Sequence, residues 1–365
     1  MDEDRRERLE ELLLREQCDA VWFARPQNVA WLTGGDVIVS EHADVGVAAA
    51  GFDGDGVTVV TSNIERDRLR DEELPGDVLV ESYNWYESSL AKAVAERSPT
   101  PAVADFDVPG LDRIGPGTAS ALRQPLSDRD RRRFRAVARD TARAVEVAAA
   151  QAHPDDTERE LSAVVARELR ERGLRAPVLL VGGGERARSH RHFTVADEPL
   201  GEYVIVSVNG YRDGLYASAT RAVAFDPPRW FERRTRDAAR VEATALAATR
   251  AVGRDGGTAG DVFEAVRDAY ADLGHEGEWR RHHQGGAAGY AGREWKAAPA
   301  SDEPVTLPMG YAYNPTVEGA KSEGTWLVTA DEIENLTVAG SEWPTLRAPA
   351  VGYDETLEVP APLGL

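Results

Sequence analysis

The sequence predicts an α+β protein in two parts, an N-terminal α/β domain over residues 1–125 and a C-terminal domain over 126–365 made of two related halves. Three observations predict this. Helix and strand signatures alternate through the first third of the chain. A stretch rich in Gly, Pro and polar residues, Pro109–Arg123, reads as a linker. Beyond it a helix signature repeats: DDTERELSAVVARELRERG returns 101 residues later as GGTAGDVFEAVRDAYADLG. Thr157 then pairs with Thr258, Leu161 with Val262, Val165 with Val266 and Gly173 with Gly274. Each copy has an N-capping Thr and a closing Gly, and Thr157-x-x-Glu160 is a capping box.

The elements follow in order. An amphipathic helix from about Asp2 to Glu16 leads into the apolar strand Ala20–Ala24, and PQNVAWLTGG is a helix entry closed by two glycines. Val45–Ala50, Val57–Thr61, Asp77–Glu81 and Ala102–Asp105 read as strands, and Ile64–Glu73 and Glu87–Glu96 as helices. A long helix runs from Asp128 to about Ala152, with Phe134, Val137, Ala142, Val145 and Val147 on one stripe. His153-Pro154 ends it. Each repeat is followed by a hairpin, Val204–Val223 and Tyr311–Val328. In the first, Val204, Val206 and Val208 alternate with Ile205 and Ser207, and Asp213-Gly214 supplies the turn.

Composition narrows the function. The 365 residues carry 63 Asp plus Glu against 43 Lys plus Arg, a formal charge of −20. Only Lys92, Lys296 and Lys321 are lysines. An acidic, lysine-poor chain is expected in a halophile, where salt screens self-repulsion. No basic stripe points to nucleic acid, and no apolar run approaches the ~18 residues of a membrane span. Cys18 is the single cysteine, so no disulfide or thiolate cluster forms within the chain, and it reads as a small buried hydrophobe. The N-terminus reads as a charged helix rather than a leader, so a cytoplasmic location is expected.

Several segments resemble the creatinase / Xaa-Pro aminopeptidase (prolidase, methionine aminopeptidase) superfamily of pita-bread hydrolases. The hairpin VIVSVNGYRDGLYASATR has that family's spacing of Asp, ten residues, Asp, then hydrophobic-Thr-Arg, with Gly214, Thr220 and Arg221 in register. Ser207 and Ser218 stand where the two aspartates would be. RHHQGGAAGY places His283 at the family's histidine, YAYNPT places Asn314 at its first glutamate, and KSEGTWLVT places Glu323 at its last. The resemblance implies a creatinase-type N-terminal domain before a pseudo-symmetric pita-bread domain, and a homodimer.

In metal-dependent members those five positions hold two divalent ions. Two such ions bring four positive charges, and Glu323 alone would answer them with one negative charge. Hard cations want carboxylates, so no metal cofactor is expected. His190 lies seventeen residues before Ser207, the spacing of the histidine that creatinase uses as general acid/base without metal, and GYAGRE, ending at Glu294, resembles the creatinase loop. The resemblance implies a metal-independent hydrolase of a small C–N-bonded substrate or short peptide. His190, His283 and Glu323 would be catalytic, with Arg221, Glu294, Asn314, Ser207 and Ser218 binding substrate. Two other readings stand beside it. One is an Xaa-Pro aminopeptidase or dipeptidase that still uses metal. The other is a non-catalytic protein that kept the pocket, with His190 a solvated loop histidine, Glu323 a strand-face carboxylate and Arg221 its structural partner.

Overall fold

Ala20–Phe23 is buried along its whole length and lies near the middle of a mixed six-stranded sheet. In spatial order the strands are Leu79–Tyr83, Val57–Ser62, Ala48–Phe52, Ala20–Phe23, Ala102–Ala104 and Asp112–Arg113. The helix Glu3–Glu16 is capped by the Asp2 carboxylate and buries Leu9 and Leu12. Pro26–Thr33 forms the next helix, closed by Gly34 at φ 83°. Its Asn28 donates to the buried Asp105 carboxylate at 2.7 Å, which ties the motif PQNVAWLTGG to the end of a core strand. Cys18 is buried.

The computed structural model describes every residue except Ala339, in two compact units, Met1–Ser127 and Asp128–Leu365. The expected linker Pro109–Arg123 is not one. It holds the edge strand Asp112–Arg113 and the helix Pro116–Leu122, started by Pro116 at the first turn. Its glycines and prolines mark element ends inside the first domain. The helix expected over Glu87–Glu96 is shorter, Leu90–Ala95, with Ser89 as its cap.

In the second unit the helix Asp128–Ala149 runs against the hairpin Tyr203–Arg212 and Leu215–Ala224. Gly210 allows the approach, since a Cβ there would fall 2.2 Å from Thr141 Oγ1. Asp213 and Gly214 are both left-handed, at φ 53° and 83°, as a two-residue turn between twisted strands requires. The repeat helices are Glu158–Glu171 and Ala259–Asp272. Both have reciprocal capping boxes, and both capping threonines bridge to a later proline, Thr157 to Pro199 and Thr258 to Pro304. Two four-stranded sheets follow the repeats. One joins Leu363–Gly364, the two hairpin strands and Arg175–Gly183. The other joins Gly285–Ala287, Met309–Tyr313, Trp326–Val328 and Ile333–Asn335. Phe231–Asp255 is a long helix closed by Gly256 at φ 70°.

Candidate functional site

Strand pairing fixes which hairpin side chains share a face. Ser207 opposes Thr220 and Asn209 opposes Ser218, so these four point the same way. The serines are therefore diagonal neighbours. Segment 322–325 runs along the edge of the strand Leu215–Ala224, with Thr220 N donating to Glu323 O at 3.0 Å and Ser218 N to Thr325 Oγ1 at 2.7 Å. A cavity of about 550 Å³ opens there. Ser207, Ser218, His283, Asn314 and Glu323 all line it, together with His192, Arg293, Lys296 and Lys321.

Glu323 is the hub. Its Oε2 accepts from Lys321 Nζ and from Thr220 Oγ1, each at 2.8 Å, and its Oε1 accepts from Arg293 Nη2 at 3.0 Å. Burial pushes this carboxyl up, but the Lys321 and Arg293 cations outweigh burial and hold it down at about 2. Lys321 Nζ also donates to Ser207 Oγ at 3.0 Å, and Arg293 Nη1 to Ser218 Oγ at 3.2 Å. Lys296 is exposed and has no ion pair among the described residues. The lining thus carries three cations and one carboxylate. Asn314 is 4% exposed and its Oδ1 has no partner among the described residues.

One wall is imidazole. His192, His282 and His283 bring ring nitrogens within 4.8 Å of one another. His282 Nε2 lies 3.1 Å from His192 Nε2, and the His282 and His283 rings stack at 4.4 Å. Burial and then the Lys321 charge push His282 down to about 2. Burial and then the Arg293 charge push His283 down to about 4. His192 is lowered by the same two kinds of cause, burial first and Lys321 second. All three rings are neutral at pH 7, the form that accepts a proton or ligates a metal.

Three expected site residues lie elsewhere. His190 is exposed and lines a second, more open cavity of about 830 Å³, which shares the His192, His283 and Lys296 wall. His192 enters the inner cavity in its place. The two histidines are two apart in an irregular segment without strand pairing, so counting back from Ser207 could not choose between them. Arg221 faces away because its parity is opposite to that of Ser218 and Thr220. Its buried guanidinium binds Glu146 Oε1 through Nε and Nη2 at 3.0 and 2.6 Å and Thr337 O at 2.7 Å. Glu294 folds back on its own loop, accepting from Ala291 N at 3.1 Å. The residues missed were His192, His282, Arg293, Lys296 and Lys321. The signal for the last two was rarity, since two of only three lysines fall in the motif region.

The five positions do not fit a pair of divalent ions. Both Glu323 oxygens and both serine hydroxyls already hold cationic donors. The one carboxylate present cannot offset four added charges beside Lys321, Lys296 and Arg293. Among the described residues, the three imidazoles form the one cluster with ligand chemistry suited to a transition ion.

No curated protein matches the chain. The structure is similar to the prolidase from Pyrococcus horikoshii OT3, with 17% identity and a TM-score of 0.74 over 93% of this chain and 99% of that one. It is similar to dipeptidase PepE from Mycobacterium ulcerans at 20% identity and a TM-score of 0.72, over 91% and 94% of the two chains. It is also similar to the N-terminal domain of FACT complex subunit SPT16 from chickpea, at 11% identity and a TM-score of 0.60 over 93% and 95%. These likenesses show the fold: a creatinase-type N-terminal domain followed by a pita-bread domain. The creatinase/prolidase N-terminal domain profile matches residues 5–127. With the profile of metallopeptidase family M24 matching residues 132–330, more than half of its length, the chain belongs to that family.

Proposed function

We propose that this protein hydrolyses a small C–N-bonded substrate, an amide, an amidine or a short peptide, by imidazole acid/base chemistry without the metal pair of its family. The observation that carries this is the neutral imidazole wall, His192 and His283, opening on the cavity that contains Ser207, Ser218, Asn314 and Glu323. Neutral rings accept protons, and the neighbouring His282 Nε2 gives His192 a partner that keeps its orientation. Lys296 stands ready for an anionic group, and the Asn314 Oδ1, unpaired among the described residues, for an N–H. In this reading His192 is the acid/base and His283 its helper, while His190 has no part in proton transfer.

The test is turnover across a panel of dipeptides, amides and amidines. His192→Ala and His283→Ala are expected to lower kcat by about 10²–10⁴ with little change in KM, as loss of a general acid/base does. His190→Ala should leave turnover unchanged, and a chelator should have no effect. A chelator that abolishes turnover, or a His190→Ala loss as large as that of His192→Ala, sinks the reading.

A binding protein without turnover is the second reading. What favours it is Glu323, whose two oxygens are both engaged by cations, leaving no carboxylate in the cavity free to activate water. Saturable ligand binding with no product over the whole panel would establish it.

A further inference from the structure

Family M24 is a metallopeptidase family, yet three of the five expected ligand positions here hold Ser207, Ser218 and Asn314. Loss of acids alone would leave an under-charged metal site. The structure has something different. Lys321 Nζ joins Ser207 Oγ to Glu323 Oε2, and the Arg293 guanidinium joins Ser218 Oγ to Glu323 Oε1. Each cation bridges one hairpin serine to one oxygen of the same carboxylate. We propose that Lys321 and Arg293 are tethered replacements for the family's two divalent ions, filling the ligand positions from within and closing them to metal.

The charges agree with this. Two monovalent cations need few anions, and one carboxylate with hydroxyl acceptors serves them where four carboxylates would over-neutralise. The Lys321 side chain is 4% exposed and that of Arg293 13%, so neither cation is a surface group that drifted into a crevice. Residue choice agrees too. This chain uses arginine almost everywhere, with three lysines among 43 cationic residues. At 321, between a hydroxyl and a carboxylate oxygen, it keeps the compact ammonium, a point charge that a planar guanidinium cannot imitate. At 293, where a serine and a carboxylate oxygen are reached by two different nitrogens, it has the fork. The fixed charge of both lines the cavity and is available to a bound substrate without an exchangeable cofactor.

This deepens the metal-independent reading above, but its test measures metal binding without substrate, so either can fail alone. Mn²⁺ is titrated calorimetrically into four proteins. They are the wild type, the Ser207→Asp/Ser218→Asp/Asn314→Glu variant, the Lys321→Ala/Arg293→Ala variant, and the combination of all five changes. The wild type and the carboxylate-restored triple variant should bind no Mn²⁺ in the micromolar range, because the new acids pair with Lys321 and Arg293. The fivefold variant should bind at least a hundredfold more tightly than the triple. Stoichiometric Mn²⁺ in the wild type that persists when His282→Ala removes the imidazole cluster, or equal affinity in the triple and fivefold variants, overturns the proposal. If the fivefold variant does not fold, Ser207→Asp alone decides. Its melting temperature should not respond to Mn²⁺, and a metal-dependent rise would show that Lys321 does not hold the position.

Discussion

Arg221 is the clearest case of a residue placed in the right register and on the wrong face. Ser218 lines the cavity and Thr220 shares its parity, and Arg221, one residue on, looks at the helix Asp128–Ala149. There its guanidinium neutralises Glu146, itself held by Ser341 Oγ at 2.8 Å. Arg221→Met should therefore cost about 3–5 kcal/mol in urea unfolding, because it strands a buried carboxylate. Adding Glu146→Met should recover most of that loss; a single-variant loss below about 1 kcal/mol would show that the pair is not structural. The histidines give a pH prediction. His282 and His283 are held at about 2 and about 4, below the ~6.5 of the unfolded chain, so below neutrality the unfolded state binds more protons. Their contribution to stability is present above ~6.5 and is lost as pH falls toward those values. Thermal melts should drop as pH is lowered through 6.5, less steeply in His283→Gln, and parallel slopes would remove the histidine from the effect.

The elements were legible where their ends carry chemistry. The repeat was readable because cap and stop recur together, and both caps share the bond from the capping Thr to the carboxylate three residues on: Thr157 N to Glu160 at 2.9 Å and Thr258 N to Asp261 at 2.8 Å. Thr157→Ala and Thr258→Ala should each cost about 0.5–2 kcal/mol, and by similar amounts, in chemical denaturation. A large difference between them would mean that the symmetry of the caps is not one of energy. The hairpin was legible from its Asp-Gly turn and its alternation. The segment Pro109–Arg123 was not, because a two-residue edge strand and a seven-residue helix opening at Pro116 have too few residues to show a period. The inner cavity was legible only in part. Spacing within the regular hairpin placed Ser207 and Ser218, and Glu323 lies only three residues before the strand Trp326–Val328, whereas spacing lost its value in the longer irregular stretch that separates His190 from the hairpin. Arg293 and Lys321 flank the motif positions Glu294 and Glu323 and are not motif positions themselves, so spacing gives them no role.

At the scale of the molecule the balance of charge is the main property. With a net −20, the chain repels itself wherever its acids are unscreened. Most of its ion pairs lie at the surface, such as Arg236 with Glu232 and Arg70 with Asp67, where each is worth little. Stability is therefore expected to rise from low to molar potassium chloride, read as the unfolding midpoint. A flat midpoint would mean that the arginines already offset the repulsion, and that the acidic surface has no halophilic role. No helix among the described residues is long and apolar enough to cross a membrane.

The scarcity of lysine has a practical corollary. Primary amines are nearly absent from this surface: the side chain of Lys92 is 62% exposed, Lys321 is sealed in its ion pair, and Lys296 stands at the rim shared by the two cavities. An amine-selective acylating reagent therefore has few places to react, and one of them is the doorway. The yield of acylation at Lys296, read by peptide mass against Lys92 as internal standard, becomes a direct meter of occupancy. Any compound that enters the inner cavity should shield the first amine and leave the second untouched, so candidate ligands can be ranked before a single product has been detected.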